Sequence, residues 1–151
     1  YDRTGFPTNR GGLEQAFIEY ADTDASVQAF AKIIEHKHTF VRVRYLREDG
    51  LLAHYHPDFL VRCDGKVYLV ETKGQDQIRQ ANVQRKKVSA LRWVERINRL
   101  PAEHRGHAEW HYCLVGEDAF YLGRNTRQPM NELLKLTSLK STDESSRLSL
   151  L

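Results

Sequence analysis

The pattern of apolar and polar positions changes period several times along the chain, and each change marks an element. Residues 1–12 carry Gly5, Pro7, Gly11 and Gly12 and read as an irregular lead-in. From Leu13 a helical period places Phe17, Ile18 and Ala21 on one stripe, and Glu14 falls on that same stripe. After Asp22-Thr23-Asp24 the period predicts a second helix that buries Val27, Phe30, Ala31 and Ile34, capped by Asp24. The period then drops to two. Val41, Val43 and Tyr45 alternate with Arg42 and Arg44, which predicts a strand with one polar face. Asp49-Gly50 and Asp64-Gly65 are hairpin signals. A second strand through Phe59 to Arg62 and a third from Val67 to Lys73 would complete a three-stranded antiparallel meander.

A long helix is predicted from Gln77 to Leu100, stopped by Pro101, with Ala90, Leu91, Val94 and Ile97 as its apolar side. Glu109 to Val115 reads as a strand, Ala119 to Leu122 as its continuation in the sheet, and residues 129–136 as a short helix. Ser138 to Ser149 is rich in serine and charge and reads as loose chain. The order α-α-β-β-β-α-β predicts a small α/β domain, a mixed sheet flanked by helices, over residues 13–123. Residues 124–151 are expected to form a C-terminal extension, a short helix and then flexible chain.

Composition narrows the class. At 151 residues with 40% hydrophobic and 28% charged positions, the chain suits one domain with a real core, which excludes wholesale disorder. No run of eighteen apolar residues occurs, so no membrane-spanning helix is expected. Tyr1-Asp2-Arg3-Thr4 lacks the build of a secretory signal, and the missing initial Met suggests a piece of a longer polypeptide. A net charge of +3 permits a nucleic-acid partner without requiring one. Cys63 and Cys113 form no CxxC pair, which argues against a zinc ribbon or disulfide framework and for a reducing, cytoplasmic setting. Among the seven histidines, His36 and His38, like His54 and His56, are spaced to share a strand face, but the further ligands of a zinc site are missing. No GxSxG elbow is present, and Trp93 lies on an apolar stripe that favours core packing.

The chemistry concentrates in His56-Pro57-Asp58-Phe59 and, thirteen positions after Asp58, Glu71-Thr72-Lys73-Gly74. A two-residue loop at Asp64-Gly65 makes the numbers of cross-strand partners sum to 129, so Cys63 faces Lys66 and Asp58 faces Glu71. Facing residues hold their Cβ atoms about 4.5–5.5 Å apart. Lys73 lies about 6.6 Å along the strand from Glu71 on the same face. Two carboxylates so close repel unless neutralised, and a hard divalent cation such as Mg²⁺ would do so. The Thr72 carbonyl is a further candidate ligand and Glu14 a third carboxylate. Lys73 can donate to a phosphate oxygen or orient water. The long helix adds Arg85, Arg92, Arg96 and Arg99, at spacings of seven, four and three, beside Lys86 and Lys87. They form a stripe suited to following phosphates. His56 would sit opposite Lys73, where it contacts a phosphate or only hydrogen-bonds near the site. The plainer alternative is a surface salt bridge and a solvated helix face.

Pro57-Asp58 followed by Glu71-Thr72-Lys73 resembles the signature of PD-(D/E)XK nucleases. A nearer resemblance is to the C-terminal endonuclease domain of type III restriction enzyme Res subunits and related helicase–nucleases. It is carried by Gly12 to Phe17, Tyr55 to Arg62, Tyr68 to Gly74 and Arg92 to Asn98. The resemblance implies a restriction-endonuclease-like α-β-β-β-α-β core and an endodeoxyribonuclease that cuts double-stranded DNA with Mg²⁺, Mn²⁺ being able to substitute. It implies Asp58 and Glu71 as metal ligands, Lys73 as catalytic, and Glu14 as the acidic residue of the first core helix. Gln80, Gln84 or Lys86 are further candidates for substrate contact. No GxxxxGK[ST] phosphate loop occurs, so the family's helicase motor would belong to another segment of the polypeptide. A modification methyltransferase subunit and a second copy of the domain would be further partners. Two other classes remain open: a DNA-binding or assembly module that keeps the fold without catalysis, and a repair nuclease selective for flaps or junctions.

Overall fold

The computed structural model describes residues 11–34, 37, 41–78 and 80–139. Helix α1 (Gly11–Thr23) leads into strand β1 (Val27–Lys32), and β2 (Val43–Leu46) and β3 (Leu52–Tyr55) follow. Next come β4 (Phe59–Cys63), β5 (Lys66–Lys73), the long helix α2 (Ala81–Asn98) and β6 (Glu109–Gly116). Two short helices, α3 (Glu117–Asn125) and α4 (Met130–Thr137), precede a two-residue strand β7 (Ser138–Leu139). The main sheet has the order β1-β4-β5-β6-β7, while β2 and β3 form a separate two-stranded sheet. Among the described strands only β5 and β6 run parallel, and α2 supplies the crossover that a parallel pair requires. The fold is α/β, a mixed sheet flanked by helices.

Each face of the sheet buries its own core. On one face α1, α3 and α4 pack Phe17, Phe120, Met130 and Leu134 against Phe59, Val61, Val70 and Val115. On the other, α2 and the β2–β3 hairpin pack Ala90, Leu91, Val94, Val43 and Tyr55 against Leu69 and Tyr112. Phe17, Ile18 and Ala21 are buried as their stripe predicts. Ile97, expected on the apolar side of α2, is only half-buried, and Val83 is buried in the first turns. Trp93 packs against the second core, its ring edge-on to Trp110. Cys63 and Cys113 are buried free thiols.

Four expectations are corrected. The segment after Asp24 is strand β1, antiparallel to β4, and not a helix. Its pairing skips one residue: Val27 faces Cys63 and Ala29 faces Arg62, so Gln28 is bulged. That extra residue turns Val27 and Phe30, three apart, to one core and imitates a helical period. Asp24 precedes a strand and not the helix it was expected to cap; its carboxylate accepts from the Ser26 N–H at 2.8 Å and, from far along the chain, the Met130 N–H of α4 at 2.9 Å.

The meander is also absent, because β2 pairs with β3 across Asp49-Gly50 and does not join β4. Pro57, which has no N–H to give a ladder, lies in the break that separates β3 from β4. Finally, Ala119 to Leu122 lies in helix α3. The boundary drawn after residue 123 falls inside that helix, and α4 contributes Met130, Leu133 and Leu134 to the first core. Residues 140–151 lie outside the described residues, as do His36 and His38.

The Asp64-Gly65 turn is as expected. Both residues have positive φ, 53° and 72°, the pair of left-handed conformations that a type I′ hairpin needs. The ladder behind it pairs Cys63 with Lys66 through to Phe59 with Val70, each pair summing to 129.

Candidate active site

At the far end of that hairpin the ladder stops and the chemistry begins. The Asp58 N–H bonds the Val70 carbonyl at 2.9 Å, one step out of the 129 register, so Asp58 does not pair with Glu71 as expected and its side chain turns to Thr72. Asp58 Oδ2 accepts two hydrogen bonds from Thr72, one from its backbone N–H and one from Oγ1, both 2.8 Å. Side chains alternate along β5, so Thr72 shares the side of Val70 and the α1 core, while Glu71 and Lys73 share the side of Leu69 and the α2 core. Asp58 therefore stands where the two faces meet, at the sheet's end.

A cavity of about 290 Å³ opens there, lined by Gly12, Leu13, Glu14, Asp58, Thr72, Lys73, Gly74, Asp76, Gln77, Glu117 and Tyr121. On the next strand, Gly116, which pairs with Lys73, is close-packed: a Cβ there would meet Ile78 Cδ1 at 2.9 Å. Glu14 is buried and ion-paired to Lys32 at 3.0 Å. Glu71 is 6% exposed; Lys73 Nζ stands 3.5 Å from its Oε1, and Oε2 has no hydrogen-bond partner among the described residues.

The electrostatics follow from this crowding. Burial, then the charge of Glu14, raises the Asp58 carboxyl above the ordinary carboxylate range, against the pull of the Thr72 hydrogen bonds and Lys32. Burial, then the charge of Asp58, raises Glu71 well above that range, against Lys73 and Lys86. The buried Tyr55 hydroxyl donates to the Lys86 carbonyl at 3.2 Å. Burial and the Glu71 charge push the Tyr55 hydroxyl well up as well. The Lys86 ammonium lies over the rings of Tyr45 and Tyr55, at 5.4 and 5.3 Å.

Oxygen donors of this type suit a hard cation, and the partnerless Glu71 Oε2 is a buried acceptor such an ion would satisfy. Against that, among the described residues no three His, Cys, Asp or Glu side chains converge as a ready ligand set, and two lysines already neutralise Glu14 and Glu71. Asp58, Thr72, Lys73 and Glu14 thus share one cavity, with Glu71 buried beside it. His56 does not line it; its Nε2 is buried without a hydrogen-bond partner among the described residues.

The arginines of α2 lie elsewhere. Arg85 reaches the Leu46 carbonyl at 3.5 Å, Arg99 is paired to Glu95 at 2.7 Å, and Arg92 and Arg96 line a separate groove. Lys32 escaped the sequence reading because its segment imitated a helix. Tyr121 escaped it because its segment was assigned to the sheet, and Glu117 because it falls between the two segments read as strand. No protein-family model, curated protein or solved structure matches the chain. No described helix is long and apolar enough to cross a membrane.

Proposed function

We propose that the chain is a metal-dependent endodeoxyribonuclease domain of the PD-(D/E)XK class, of the kind found in type III restriction enzymes. The observation that supports this best is a cavity lined by Glu14, Asp58 and Lys73, with the buried Glu71 ion-paired to that lysine. Two carboxylates with elevated proton affinity are held at one strand end, one oxygen is left without a partner, and Lys73 stands beside them. Groups placed so are costly to ionise unless a cation joins them. Asp58 and Glu71 would hold Mg²⁺ or Mn²⁺, with Glu14 and the Thr72 carbonyl as further oxygen donors. The ion would supply charge neutralisation at the phosphate and acidify attacking water.

The chain's own residues do the rest. Thr72 fixes the Asp58 carboxylate through two hydrogen bonds. Lys73 donates to a non-bridging phosphate oxygen or to the incoming water and holds it in line with the bond to be broken. Water gives one proton to solvent as its oxygen adds to phosphorus, the bond to the leaving ester oxygen breaks, and that oxygen takes a proton from solvent. Supercoiled plasmid should be nicked with Mg²⁺ or Mn²⁺, not in EDTA, and not by Lys73→Ala.

A second reading, a non-catalytic DNA-binding or assembly module, is favoured by one observation: Lys32 and Lys73 already pair with Glu14 and Glu71. Calorimetry separates the two. The nuclease requires a Mn²⁺ site that Asp58→Ala removes; the module requires none.

A further inference from the structure

Away from the carboxylates, the β2–β3 hairpin and the C-terminal half of α2 enclose a second concavity of about 650 Å³. Arg42 and Arg44 form one wall. They alternate with the buried Val41, Val43 and Tyr45, so the same pattern that anchors the strand turns both guanidinium groups outward. His54 is the cross-strand partner of Arg44. Arg92 and Arg96, one helical turn apart and exposed, form the other wall together with Ser89 of the same helix. Arg99 is neutralised by Glu95, but among the described residues no carboxylate pairs with Arg42, Arg44, Arg92 or Arg96. Four like charges facing one groove repel one another, an arrangement that a polyanion relieves.

We infer that this groove is a binding site for the phosphate backbone of duplex DNA, outside the cleavage pocket. The inference rests on the nuclease reading for its ligand class and adds where the flanking substrate goes. Spacing supports a backbone. Arg92 and Arg96 are about 6 Å apart along the helix, and Arg42 and Arg44 about 6.6 Å along the strand. Measured along the duplex axis, where each strand carries a charge about every 3.4 Å, each row covers about two steps. Position supports continuity with the pocket. Lys86, whose charge acts on Glu71, lies on the same helix about 9 Å before Arg92, so α2 leads from the carboxylates into the groove. Duplex is favoured over single strands because the groove's large aromatic rings are not displayed for stacking: Tyr45 is buried, and Trp93 is half-buried against Trp110.

The test is fluorescence anisotropy of a labelled DNA duplex with the intact chain in EDTA, across a series of salt concentrations. Arg44→Ala combined with Arg92→Ala should weaken binding at least about tenfold. It should also lower the slope of log affinity against log salt by about 0.9 for each phosphate left unneutralised. Arg44→Lys with Arg92→Lys should restore most of the slope, and Lys135→Ala, on another face, should match the wild type. Wild-type affinity in the double alanine variant, no duplex binding by the wild type, or tighter binding of a single strand would each overturn the inference. Binding in EDTA needs no cleavage, so the two readings fail separately. A chain that holds duplex through these arginines yet never cuts keeps the groove and loses the nuclease. A chain that cuts, and whose groove variants bind as the wild type, does the reverse.

Discussion

Thr72 grips Asp58 twice, its N–H and its hydroxyl both donating to the single oxygen Oδ2 at 2.8 Å. The backbone bond survives any substitution at position 72, whereas the hydroxyl bond does not. Thr72→Val keeps the shape and the β-branch and removes one hydrogen bond to a carboxylate, a cost of about 1–3 kcal/mol. If the carboxylate must be held for catalysis, Thr72→Val should cut plasmid about tenfold or more slowly while Thr72→Ser stays near wild type. Equal rates for both variants would mean that the backbone N–H alone fixes Asp58.

Lys32 and Glu14 join β1 to α1 at the edge of the site, which Glu14 lines, with side chains 20% and 9% exposed. Removing the ammonium leaves a buried carboxylate without its partner, which is more damaging than losing the pair as a whole. Lys32→Ala should therefore lower stability in EDTA by about 1–3 kcal/mol, seen as a shift of the urea midpoint at unchanged slope. Mn²⁺ should recover part of that stability, because it would replace the missing positive charge. A deficit that Mn²⁺ leaves untouched would show that Glu14 is not within reach of the cation.

Glu71 carries a pH signature of defined sign. Its folded-state proton affinity is raised by burial and by Asp58, so the folded protein holds this proton more tightly than the unfolded chain. The associated stability is complete below the unfolded value, about 4.3, and is lost as pH rises toward the raised folded value. Glu71→Gln removes this dependence. Its melting temperature relative to wild type should thus climb as pH rises from about 4.3 toward the raised folded value in EDTA. A difference constant across that range would mean that the carboxylate is no harder to ionise folded than unfolded.

Much of this site is legible in the sequence, and the reasons are local. The two positive-φ positions that Asp64 and Gly65 supply set the β4–β5 register, and the register carries Asp58 to the end of β5 where Glu71 and Lys73 lie. The α1 stripe likewise directs Glu14 toward the core. What the sequence hides is non-local. The bulge at Gln28 spaces Val27 and Phe30 like helix neighbours, and only pairing with β4 distinguishes the two periods. The same ambiguity hides Lys32, the cation paired with Glu14. Ala119 to Leu122 is too short for its period to decide between strand and helix, and the packing of Phe120 on Phe17 and Tyr20 makes it a helix face. Alternation along a strand assigns the side of each residue of β5, but not the turn of the Asp58 carboxylate toward Thr72, which happens just before β4 begins.

Asp24 joins two distant parts of the first core and permits a test of the fold itself. Its carboxylate accepts from the Ser26 N–H at 2.8 Å and hydroxyl, and from the Met130 N–H at 2.9 Å, so it closes the turn before β1 and caps α4 at once. Burial works against its charge, but the Ser26 and Met130 hydrogen bonds outweigh burial and hold its proton affinity below the usual carboxylate range. A lowered folded value means that the stabilisation is present above the unfolded value, about 3.9, and disappears as pH falls through the folded one. Asp24→Ala should cost about 1–2 kcal/mol near neutral pH, the worth of a helix cap. The gap to wild type should narrow below about pH 4. Because α4 packs Met130, Leu133 and Leu134 into the same core as α1, amide exchange in the variant should rise in α4 and in the turn before β1 together. Faster exchange in α4 alone would mean that the turn holds without Asp24 and that the two segments are not coupled through it.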